Sequence, residues 1–214
     1  MKKVVFQDPH RKKHFEFFKN MDQPHYSFTI PIDIGPFLKY IKGVEAAFTP
    51  TMVYAVSYCA NKTQNFRRRI RAGEVVEHEI INPSFTVLTQ ASSVFSFCYV
   101  DYHSNANKFI ASTVKAIEDR QKDPSFENVI GRDDFLFISI LPWFTFYHIN
   151  HPMHYHPVDS IPRFAWGKYE KKGEEVIMPL SIQAHHALVD GIDIGKYVNL
   201  FQSIMQEPEQ LQLG

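Results

Sequence analysis

The stretch Val176–Val198, VIMPLSIQAHHALVDGIDIGKYV, decides the fold class because two patterns meet in it. An apolar run ends in the pair His185–His186, an Asp-Gly step follows at Asp190–Gly191, and from Ile194 the pattern becomes amphipathic. This reads as a long strand, a turn and a closing helix, IGKYVNLFQSIMQ. Working backward, RFAWGKYE and EEVIMPLSIQAHH flank Lys171-Lys172-Gly173 and form one long hairpin. Side chains at neighbouring strand positions point to opposite faces, so His185 and His186 cannot share one role. One imidazole faces a cleft and the other packs. Asp190, beyond the strand, either orders the turn or takes a cation, and Gly191 is expected where the backbone needs positive φ.

The rest of the chain fits the same class. His10–Asn20 reads as a short helix, and Tyr26–Ile34 alternates as a strand. GPFLKYIKGV and TPTMVYAVSYCANKT read as helices, the second with Pro50 near its first turn. Strands are expected over 66–72, 74–80 and 85–90, with Ala72-Gly73 turning between the first two. NANKFIASTVKAIEDR carries one apolar helical stripe. FLFISILPW is apolar on both faces, as a covered central strand is. The fold class is therefore α/β: a two-layer arrangement of a mixed, largely antiparallel sheet covered by helices. Without an internal repeat or low-complexity linker, residues 1–214 read as one domain.

Composition narrows the partners. The 23 basic and 23 acidic side chains cancel, which argues against nucleic acid or an anionic membrane. Two cysteines are too few for a disulfide framework, and Cys59 sits in an apolar run as a small core residue. MKKVVFQDPHRKK is basic with too short an apolar run for a signal peptide, and no segment approaches a membrane span. A soluble, cytoplasmic protein is expected.

Further motifs appear in order: HFEFF after a basic residue, FTP opening a helix, PSFTVLTQ, FISILPWFTF, WGKY and MPLSIQAHHALVDG. Their order and spacing resemble the chloramphenicol acetyltransferase family from end to end. The HHxxxDG element also recurs in dihydrolipoyl acyltransferase cores and in condensation domains of peptide synthetases. The resemblance implies transfer of acetyl from acetyl-CoA to a hydroxyl, and hence antibiotic resistance. It makes His186 the general base, a role that suits imidazole because its ordinary pKa lies near neutrality. It implies that His186 Nδ1–H is held by the residue's own carbonyl, and that Asp190 pairs with Arg11. It assigns Tyr169 and Lys168 to the CoA face, with Thr49 beside them, and makes the assembly a homotrimer with active sites at subunit boundaries.

Several positions depart from the family pattern. His148 stands where the family has an oxyanion-stabilising serine, Ala165 where it has a threonine, and Phe18 where it has a pocket tyrosine. Tyr26 and Phe95, with Phe126, are expected to wall the acceptor cavity. Ala47 and Thr49 replace a lysine and a tyrosine, which removes a cation from the CoA side. These changes leave two other readings open: an acetyltransferase for another small hydroxyl or amine acceptor, and a silent ligand- or metal-binding relative. His148, His151, His154 and His156 resemble a metal cluster by composition, but Pro152 breaks any regular spacing. They read as pocket-lining loop residues, and no metal is expected.

Overall fold

The computed structural model describes residues 1–126, 131–154, 156–157 and 159–213. The longest strand among the described residues is the one expected from the opening stretch, β10 (Glu175–His185), buried at every position from Met178 onward. A strand flanked on both edges and covered on both faces has no solvent side, so its sequence is a run rather than an alternation. β10 pairs antiparallel with β2 (His25–Asp33), β8 (Arg163–Gly167) and the short β9 (Glu170–Lys172). The main sheet continues through β7 (Phe135–Leu141), β5 (Asn82–Leu88) and β6 (Phe95–Tyr99), in the order β2-β10-β8-β7-β5-β6. The β8–β7 and β7–β5 pairings are parallel and the others antiparallel. The mixed, largely antiparallel sheet is as expected.

Among the described residues five α-helices accompany it: α1 (Pro9–Phe18), α2 (Gly35–Gly43), α3 (Phe48–Lys62), α4 (Ala106–Lys122) and α5 (Gly191–Gln206). α3 is the core element and touches α2, α4, α5 and β5. Its polar residues survive burial by bonding back one turn: Thr51 Oγ1 donates to Ala47 O at 2.8 Å and Ser57 Oγ to Val53 O at 2.6 Å. Cys59 is fully buried there. No helix among the described residues is long and apolar enough to cross a membrane.

Three expectations needed correction. The strand expected over 66–72 begins as a 3₁₀ turn, Gln64–Arg67, and only Arg68–Arg71 forms β3. Phe66 is drawn into the core against Phe164 and Tyr197, with ring centroids 5.5 and 5.3 Å away. β3 and β4 (Glu74–Glu77) join β1 (Lys2–Val4) in a separate three-stranded sheet, and neither β1 nor β6 was anticipated. Gly191 does not have positive φ, since it opens α5; the left-handed positions in the expected turn are Ala72 and Gly73.

Candidate active site

β2 begins and β10 ends at the same end of the sheet, where His25 lies opposite His185. His186 N donates to Pro24 O at 2.8 Å, which carries the pairing one residue past the strand. The chain then turns: Leu188 N and Val189 N both donate to His185 O. Asp190 caps α5, its Oδ1 accepting from Gly191 N at 2.7 Å, while Asp193 reciprocates by accepting from Asp190 N.

The doublet divides as alternation requires. His185 is 1% exposed, stands edge-on to His25 at 4.9 Å, and accepts from Ala187 N through Nδ1. Burial, with the neighbouring His25, pulls its pKa down to about 3, so it is neutral and inaccessible. His186 is half-buried. Its ring lies between Phe18, 4.0 Å away, and Tyr26, 4.3 Å away, each tilted by 32°. These two rings fix the plane of the imidazole. Nδ1 is buried and without a hydrogen bond, whereas Nε2 keeps some access to solvent. Tyr26 is held in turn by donating to Val189 O at 3.0 Å.

α1 supplies the remaining wall. Its residues Arg11, His14 and Phe18 are spaced three and four apart and so share one face. The His14 ring meets Phe18 at 4.8 Å and His186 at 5.2 Å, edge-on to the latter. His14 was not anticipated from the sequence, where its spacing from Phe18 is the available signal. Arg11 donates through Nη2 to Leu188 O and, at 3.4 Å, to Ala187 O, and through Nη1 to His14 Nδ1 at 3.2 Å. A guanidinium only donates, so neutral His14 accepts at Nδ1 and carries its proton on Nε2. Burial first, then the Arg11 charge, lowers the His14 pKa.

The expected Arg11–Asp190 ion pair is not formed. Asp190 is committed to the helix cap and Arg11 to the turn carbonyls; the ion-pair distance the carboxylate makes is 3.9 Å, to His186 Nδ1. Nor does His186 Nδ1 bond to its own carbonyl.

The acceptor-side residues fall into two groups. Phe18 and Tyr26 touch His186. Phe95 does not: β6 is four strands from β10, which at ~4.8 Å per strand is roughly 19 Å. It packs instead with Phe97 and Phe126 at an outer edge. Ala165 is fully buried opposite Ser181, five residues before His186 and so roughly 17 Å along the strand. His148 is exposed, and no ring contact or hydrogen bond among the described residues joins it to His186. On the expected CoA side, Tyr169 is exposed with its ring 5.8 Å from that of Phe48, beside Thr49. Lys168 N donates to Phe144 O at 2.9 Å, tying this corner to the loop that leads to His148. Gly167, not anticipated as important, packs so closely that a Cβ would stand 2.9 Å from Phe144 O.

The sequence and the fold have known counterparts. The family model for chloramphenicol acetyltransferase matches residues 1–202. The chain belongs to the chloramphenicol acetyltransferase family. A chloramphenicol acetyltransferase of Proteus mirabilis is 32% identical over 197 residues, 92% of this chain and 91% of the relative. One of a Klebsiella species is 30% identical over 200 residues, covering 92% and 90%. A solved structure of a chloramphenicol acetyltransferase superposes with a TM-score of 0.82 at 21% identity, covering 95% of this chain and 99% of that one. The family assignment and the mixed sheet expected from the sequence agree with these matches.

Proposed function

We propose that this chain is a chloramphenicol O-acetyltransferase, acting as a single domain, with His186 as the general base and acetyl-CoA as the donor. The observation that carries the reading is the presentation of His186: one nitrogen buried, the other reached by solvent, the ring clasped between Phe18 and Tyr26. Nε2 takes the proton of the substrate hydroxyl as that oxygen attacks the thioester carbonyl. The tetrahedral intermediate collapses, the carbon–sulfur bond breaks, and the departing thiolate recovers the proton from the imidazolium. Both substrates meet in one ternary complex, so no acyl-enzyme is needed and proximity lowers the barrier. Asp190 Oδ1 stands 3.9 Å from Nδ1, on the side of the ring away from the reacting nitrogen. Adenine stacks on the exposed ring of Tyr169, beside Lys168 and Thr49.

One chain holds only half of this site. Phe18 and Tyr26 accompany the base, while His148, Ala165, Phe95 and Phe126 stand apart from it. That separation supports a homotrimer in which the acceptor pocket facing one His186 comes from the neighbouring subunit. There the His148 imidazole donates to the oxyanion in place of a serine hydroxyl. Cytoplasmic residence and a role in chloramphenicol resistance follow from this activity.

A second reading keeps the chemistry and changes the acceptor, to another small hydroxyl or amine. Phe18 favours it, because a phenyl ring 4.0 Å from that of His186 lacks the hydroxyl that a tyrosine would offer the acceptor. Thiol release from acetyl-CoA with and without chloramphenicol separates the two. Release only with the drug supports the first reading, and release only with other acceptors the second. His186→Ala should abolish transfer with the melting curve unchanged; near-normal turnover would refute the assignment.

A further inference from the structure

His14, His186 and Asp190 come from three separate elements: α1, the end of β10 and the cap of α5. One ligand atom from each lies within 4.8 Å of the others. His186 Nδ1 is 3.9 Å from Asp190 Oδ1, and the imidazoles of His14 and His186 meet edge-on at 5.2 Å. Two of the polar atoms here, His14 Nε2 and His186 Nδ1, are buried and bonded to nothing. A buried nitrogen without a partner is costly, and two rings that each carry one stand within 4.8 Å of a carboxylate that could share an occupant with them.

We propose that these three side chains form a binding site for a divalent transition metal of the zinc class, and that its occupancy switches the base off. The inhibitory half rests on His186 being the base; the binding half does not. Two imidazoles and one carboxylate are a zinc donor set, leaving one tetrahedral position to water. Metal–ligand bonds of ~2.0–2.1 Å place donors roughly 3.4 Å apart, so donors now within 4.8 Å of one another draw in by about 1.4 Å at most to hold an ion. Asp190 keeps its cap while it coordinates, since a carboxylate offers about four lone-pair sites.

The proton balance gives the consequence. Metal at His186 Nδ1 moves that ring's one proton to Nε2, the atom that must be bare to act as a base. Metal at His14 Nε2 moves its proton to Nδ1, so Arg11 Nη1 withdraws while Nη2 keeps its hold on Leu188 O and Ala187 O. No proton is released overall. The side of His186 that solvent reaches stays open, so substrates bind and are not turned over. The His148–His156 loop takes no part.

The test titrates the metal-free full-length chain with zinc against a chromophoric chelator. One zinc per chain is expected, weakened at least tenfold by His14→Ala and by Asp190→Ala. His14→Gln, which keeps an acceptor for Arg11, is the second variant should alanine unfold the helix, and circular dichroism reports the fold of each. Acetyl transfer should fall in step with occupancy through kcat, with KM unchanged, and return with EDTA. Absence of stoichiometric zinc in the parent protein, or binding indifferent to both His14 variants, overturns the site. Inhibition that acts by raising KM overturns the tautomer mechanism. If the chain turns over no acceptor while zinc binding still depends on His14, the functional reading fails alone.

Discussion

The sharpest energetic question concerns Arg11 and Asp190. Family resemblance pairs them; the structure assigns them separate tasks, and a double-mutant cycle distinguishes the two. Arg11→Met keeps the side-chain stem but removes the guanidinium bonds to Leu188 O, Ala187 O and His14 Nδ1. A charged hydrogen bond contributes roughly 1.5–3 kcal/mol. The Ala187 bond is long and the group half-exposed to water, so the total expected loss is about 2–3 kcal/mol. Asp190→Ala removes the cap of α5, a loss of about 1 kcal/mol. Because the two side chains bond to different groups, their effects should add, with a coupling energy under about 1 kcal/mol from the field between their charges. Urea unfolding of the four proteins, at one fixed protein concentration because an oligomer's stability depends on it, gives each term. A coupling of about 2 kcal/mol or more would mean that the two groups bond directly and would refute the separate roles.

Other outcomes follow from the same geometry. His25 is nearly buried, and burial, with the Arg163 charge next, lowers its pKa to about 4 from 6.5. The fold therefore favours its neutral form: this contribution is complete above pH 6.5 and is lost as pH falls toward 4, by about 3 kcal/mol. Unfolding free energies between pH 7 and 4 should flatten by that amount in His25→Gln, and an unaltered slope would contradict the assignment. Gly167→Ala would set a Cβ 2.9 Å from both Phe144 O and Pro179 Cγ; a loss of about 1–3 kcal/mol is expected, and a neutral melting temperature would count against the packing. His148→Ser should raise chloramphenicol turnover, read as kcat; an unchanged or lower rate would indicate a site rebuilt around another acceptor.

Much of the architecture was legible because it is written in local periodicity. β10 and α5 were evident from the run before His185 and the amphipathic pattern after Ile194. The turn at Ala72-Gly73 followed from residue type. β1 was missed because three residues carry too little pattern, and Phe66 was misassigned because a strand and a buried 3₁₀ turn look alike over four residues. The site was legible in part. Alternation alone separated the roles of His185 and His186. The pairing of Arg11 with Asp190 was wrong in detail because a carboxylate at a helix start satisfies its own backbone first, which motif register cannot reveal.

What the sequence determined by itself is the succession of the longer strands and helices and the division of labour within the histidine pair, since both depend on neighbours along the chain. Which groups share a site was decided only by the tertiary structure. Strand order set Phe95 four strands from the base, and the docking of α1 carried His14, 172 positions away in the chain, to the edge of His186. Contacts of that kind depend on how sheet and helices pack around a common core, and no local pattern encodes them.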